Sequence, residues 1–125
     1  MDVEGIIVEG YYEVLALHRF LFEYKFDDLD SIYAGSPYIA AIQHRLYDQL
    51  QAADPGKGWY EWRKADGHPH RLEAVRQHLA TAGLWWTNSN TEQRITYVND
   101  LLAPLRPSTE LLAELVAIQI EGSDT

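Results

Sequence analysis

The stretch VEGYYEVLALHRFLFEYK, residues 8–25, constrains the fold more than any other part of the chain. At helical spacing, Glu9, Glu13 and Glu23 fall near one line. Tyr11, Val14, Leu15, His18, Leu21 and Phe22 cover the opposite side, and Tyr12, Leu17 and Phe20 widen it. A helix apolar over most of its circumference must be covered on more than one side. The segment is therefore expected either at the centre of a helical bundle or as a homodimer interface through residues 8–25. Arg19 and Glu23 interrupt its apolar run, and the acidic start MDVEGII lacks the basic region of a signal peptide. Neither a membrane partner nor a leader is expected, and the absence of cysteine favours a cytoplasmic location.

The rest of the chain repeats the helical pattern. Ser36 and Pro37 read as N-cap and first residue of a second helix, with Ile39, Ile42, Leu46 and Leu50 on one face and DPGKG (54–58) ending it. A helix from Pro69 carries Leu72, Val75 and Leu79, with Gly83 as its stop. Ser89 and Glu92 suit a capping box ahead of Ile95, Val98, Leu101 and Leu102. A short last helix follows Pro107 and Ser108, with Leu111, Leu112, Leu115 and Ile118 inward, Glu110, Glu114 and Glu121 outward, and Gly122 at its end. No alternating run flanks a hairpin turn. With 125 residues, 46% of them hydrophobic, the expectation is a compact all-α single domain, residues 1–125, built as a bundle of five or six helices.

Charge narrows the function. The net charge is −9, but residues 51–83 hold four acids against five bases, whereas residues 1–50 hold nine against three and 84–125 six against two. A negative field repels phosphates and speeds encounter with basic partners, so direct nucleic-acid binding is not expected. The segment 69–102 has two helices, yet the connection GLWWTNSN is too long for a helix-turn-helix, and the second helix offers only Arg94 against Glu92 and Asp100. Asp27, Asp28 and Asp30 lack the glycine and glutamate of a calcium loop. With Glu4, Glu23 and Asp48 they are expected to form an acidic surface that docks a basic protein partner.

One stretch stands apart, GWYEWRKADGHPH, residues 58–70. Trp59 and Trp62, three residues apart, would share a face of a helical turn. They either pin a connection to the core or form an aromatic platform rimmed by Arg63, Lys64 and Arg71. His68 and His70, with His78 further on, match no metal-ligand spacing: His70 and His78 point about 80° apart on a helix. They read as solvated helix-start residues, and no metal or cofactor is expected. His18 lies on the apolar side of the first helix, where only a carboxylate such as Glu110 or Asp100 would give it a catalytic role. His44 reads as surface.

The chain carries no Gly-rich phosphate loop, serine elbow or HExxH motif. The expected function is thus a small acidic protein-binding module, an inhibitor of the immunity, antitoxin or DNA-mimic type, without a catalytic residue. The alternative is a small-molecule or metal-binding site around Trp59, Trp62, Arg63, Lys64, His68, His70 and Arg71.

Overall fold

Side-chain caps, glycines and prolines mark most of the helix boundaries and set the order of elements. A computed structural model describes residues 3–119. Gly10 precedes α1 (Tyr11–Asp27), which Asp28 closes by accepting the amide of Asp30 on Oδ1. The Ser36 hydroxyl caps α2 (Pro37–Ala53) by accepting from the Ile39 amide at 3.3 Å, with Pro37 in the first turn. A tight turn (Pro55–Lys57) leads to Gly58, whose φ of 92° is a left-handed conformation open to glycine at little cost. There the chain enters α3 (Trp59–Trp62). A second tight turn (Ala65–Gly67) precedes α4 (Pro69–Ala80), then come α5 (Leu84–Asn88), α6 (Thr91–Leu102) and α7 (Thr109–Val116).

The all-α expectation holds, with seven α-helices among the described residues in place of five or six. The two additions, α3 and α5, are single turns. Isolated helices that short do not form on propensity, and here each is fixed by a tryptophan: Trp59 is 8% exposed and Trp86 fully buried. Helix α1 starts at Tyr11 where Val8 was expected. Gly83 does not stop α4: Thr81 does, and Gly83 opens α5 at φ 100°. The capping box of α6 lies one residue later than expected, Asn90 with Gln93, because the Ser89 hydroxyl turns back to the Trp85 carbonyl at 2.6 Å and closes α5. Glu121 and Gly122 lie outside the described residues.

Two packed clusters form the interior. The larger joins Phe22 and Leu29 to Leu72, Val75 and Leu79 of α4, Trp86, Val98, Leu101 and Leu102 of α5 and α6, and Leu111 and Leu115 of α7. The smaller joins Val14 and Leu15 of α1 to Leu46, Tyr47 and Leu50 of α2 and to Trp59, and Trp62 packs against both. Helix α1 is thus covered on two sides, while Tyr12, Phe20 and Tyr24 stay on its outer face, 81%, 63% and 48% exposed.

Two cations work inside the fold. Lys25, 2% exposed, donates from Nζ to the Asp100 and Ala103 carbonyls at 2.8 and 3.0 Å, and so ties the end of α1 to the last turn of α6. Arg94 donates to the Trp86 and Val116 carbonyls and lies 4.6 Å over the Trp86 ring, whose Nε1 donates to the Ile118 carbonyl. The basic residue that a DNA-reading helix would need is committed to the fold. None of the described helices is long and apolar enough to cross a membrane.

Candidate functional site: an aromatic cleft with basic walls

Helical spacing aligns His18 and Phe22 on the inner face of α1, and the short turn α3 brings Trp59 and Trp62 up to them. His18 meets Trp59 edge-on at 5.4 Å between centroids and Trp62 at 5.0 Å; Trp62 in turn lies 5.0 Å from Phe22, and the two tryptophans stand 83° apart. Arg71, in the first turn of α4, places its guanidinium 4.5 Å over the Phe22 ring. Together with Arg19, Glu23, Lys57 and Gly58 these residues line a cleft of about 350 Å³, within the size range of small-molecule sites.

Three side-chain nitrogens of these walls have no hydrogen-bond partner among the described residues: His18 Nδ1, Trp59 Nε1 and Arg71 Nε, each with almost no exposed area of its own. Burial, then the neighbouring Arg19 charge, pushes the His18 imidazole down to about 4, so it is neutral near pH 7. Among the described residues no carboxylate hydrogen-bonds to it, although Glu23 lines the same cleft. Asp100, one of the two partners weighed for it, lies by Lys25, and Glu110 is exposed at the start of α7.

The residues of the 58–71 stretch do not form one site. Trp59, Trp62 and Arg71 line the cleft. Trp62 and Trp59 also pack in the core, so the anchor and the platform coexist. His68 stands behind Trp62, its Nε2 2.6 Å from the Trp62 carbonyl and its ring in contact with Trp62 and Phe22. His70 is exposed in the first turn of α4. Arg63 points elsewhere: it lies 4.0 Å over Tyr47, donates to the Pro104 carbonyl and reaches His44 Nδ1 at 2.9 Å. That contact corrects the surface reading of His44, which is half-buried and is pushed down to about 4 by burial, then by Arg106, Arg63 and Lys25, against Asp48. Arg63 and Lys64 line a second cavity of about 390 Å³ with Tyr60, Asp66, Arg106, Pro107 and Ser108.

The acidic residues are also divided. Glu4, Glu23, Asp27, Asp28, Asp30 and Asp48 are all exposed. Glu4 precedes α1, whose ends are about 24 Å apart at 1.5 Å per residue, while Asp27 and Asp28 close it. Glu23 lines the basic cleft. Asp30 bonds His78 Nδ1 at 2.8 Å, and His78 Nε2 bonds the Tyr97 hydroxyl at 2.7 Å. This is the order of a carboxylate–imidazole–hydroxyl relay. Burial, then Asp30, pushes Tyr97 up to about 12, however, so its phenol stays protonated and serves as a poor nucleophile. The relay clasps the 28–36 connection to α4 and α6. His78 is therefore not a solvated helix-start residue. Among the described residues no three His, Asp or Glu side chains converge as a metal site would require.

His18 was visible in the sequence as a polar ring on an apolar face, but its meeting with Trp59 and Trp62, some forty residues on, carries no sequence signal. Lys57 and Arg19 had none either, because their role follows only from the cleft. No protein-family model, curated protein or solved structure matches the chain.

Proposed function

We propose that the protein binds a small organic anion in the cleft between α1, α3 and α4. One observation carries this reading: three unpartnered nitrogens, His18 Nδ1, Trp59 Nε1 and Arg71 Nε, belong to residues that line a single cleft. Buried polar groups are nearly always paired, and leaving one unmet costs about 1–3 kcal/mol. The other unpartnered buried side-chain atoms among the described residues, on Tyr11, Gln43 and Gln51, belong to residues outside the cleft. Trp59 Nε1 and Arg71 Nε only donate, so the ligand must accept. Arg19, Lys57 and Arg71 outnumber Glu23, which selects negative charge. This favours the ligand-binding alternative over inhibition of a basic protein, and binding over catalysis.

Tryptophan fluorescence tests it directly, since Trp59 and Trp62 form the walls. Organic anions are expected to quench saturably and matched neutral molecules to do so about tenfold more weakly. A panel in which no anion gives saturable quenching sinks the proposal.

A second reading has its own observation. On α1, Asp27 and the exposed Phe20 and Tyr24 share one helical face, with exposed Ile32 and Tyr33 in the following connection. An acidic, aromatic surface suits a basic protein segment in the cytoplasm, of the kind an inhibitor would block. Association that slows sharply as salt rises supports this reading, and salt-indifferent capture removes it. A second copy of the chain would also cover this face, and sedimentation over a wide concentration range separates the two occupants.

A further inference from the structure

The cleft is specific enough to name the chemistry of its ligand, an inference that rests on the organic-anion reading above. We infer that the ligand is an aromatic carboxylate, its ring against the Trp59 and Trp62 faces and its two oxygens on Trp59 Nε1, His18 Nδ1 and Arg71 Nε.

The walls select the ring. His18 and Phe22 stack at 18° with centroids 6.0 Å apart, while Trp59 and Trp62 meet these rings and each other edge to face or tilted, at 58° to 88°. Such a corner leaves one ring face beside another ring's edge, which is the arrangement a further aromatic ring completes. A saturated ring of the same width fills the space without that complementarity. A cationic ligand would also suit an aromatic cage, but Arg19, Lys57 and Arg71 stand around this one.

The donors select the carboxylate. Two of the three unpartnered nitrogens can only donate, and one of them is a guanidinium Nε, whose bond to a carboxylate oxygen is charge-assisted. His18 joins them as a neutral donor when its proton is on Nδ1. A carboxylate conjugated to its ring is coplanar with it and can follow a single tryptophan face, whereas a phosphate presents a tetrahedron of oxygens. These nitrogens carry almost no exposed area of their own, so binding requires a neighbouring wall side chain to give way.

Isothermal titration of the unaltered protein with four ligands of one ring width decides the matter: 2-naphthoate, its fully saturated analogue, 2-naphthamide and 2-naphthyl phosphate. Naphthoate is expected to bind about tenfold more tightly than each of the others. Equal binding of the saturated acid overturns the aromatic part and leaves the anion reading standing. Tighter binding of the phosphate overturns the carboxylate assignment. If naphthamide matches naphthoate, both this inference and the anion reading fail; if none of the three anions binds, this inference fails, and the anion panel above decides the broader reading. In Arg71→Gln the preference for naphthoate over naphthamide is expected to shrink about tenfold. Trp59→Phe keeps a ring and removes the N–H, so it is expected to weaken both acids together while the aromatic preference persists. An Arg71→Gln protein with the full preference for the acid would remove Arg71 from the site.

Discussion

At the scale of single residues, His18 is the most informative group in the cleft. Burial and Arg19 hold it down to about 4, so the ligand-free imidazole is uncharged over most of the accessible pH range. An anion placed beside it favours the protonated form and raises that value. The bound state then takes up a proton in the window between about 4 and the raised value, and affinity grows as pH falls through that window. Glu23 lines the same cleft as His18, and His68 lies behind Trp62. Titrations at pH 7 and pH 5 in a Glu23→Gln background are expected to show tighter binding at pH 5, and loss of that pH response when His18→Phe is added. A response that persists in the double variant assigns it to another group. Lys57→Gln is expected to weaken the anion by a few-fold only, since an exposed charge acts through water.

At the scale of elements, the boundaries drawn from the sequence succeed where one residue has one local role. Ser36 with Pro37, Ser108 ahead of α7, and the Leu72–Val75–Leu79 stripe all behave as their spacing predicts. They fail where two neighbours qualify equally: Ser89 and Asn90 both suit an N-cap, and only the packing of α5 decides between them. They also fail where an element exists because of its contacts, as α3 does through Trp59. The candidate site was half legible for the same reason. Trp59, Trp62 and Arg71 sit in one unusual stretch, whereas His18 and Arg19 come from a helix far away in sequence. One close approach between elements gives a sharp prediction. A Cβ on Gly35 would lie 2.6 Å from Tyr97 Cε1, and His78, Trp85 and Trp86 surround that ring. Gly35→Ala is therefore expected to lower unfolding stability by about 1–3 kcal/mol in urea denaturation, and Gly56→Ala, in open space, by much less. Equal costs at the two glycines would mean the ring moves aside freely.

At the scale of the whole molecule, buried basic groups set how stability follows pH. Burial pushes Lys25 down to about 7 from 10.5, with the Asp100 charge opposing, and holds His18 and His44 at about 4 against 6.5. In each case the folded chain releases a proton that the unfolded chain keeps, so stability rises with pH between the folded and unfolded values. The histidine contribution is whole above 6.5 and is lost as pH falls to about 4. The penalty for burying Lys25 is complete below 7 and is relieved as pH climbs towards 10.5. Tyr97, pushed up to about 12 from 10.0, acts in the opposite sense and lowers stability only above 10. The acid limb mixes the histidines with carboxylates such as Asp66 and Glu114, both held below their usual range. The span from pH 7 to 10 isolates Lys25. Urea unfolding across that span is expected to show stability rising with pH, and Lys25→Met to flatten the rise whatever its effect at pH 7. Its two carbonyl partners accept from a neutral amine as from an ammonium, so the tie between α1 and α6 survives the loss of charge while the desolvation penalty does not. A slope unchanged in Lys25→Met would show that the ammonium is solvated in the folded chain and that the α1–α6 tie is made by a charged group.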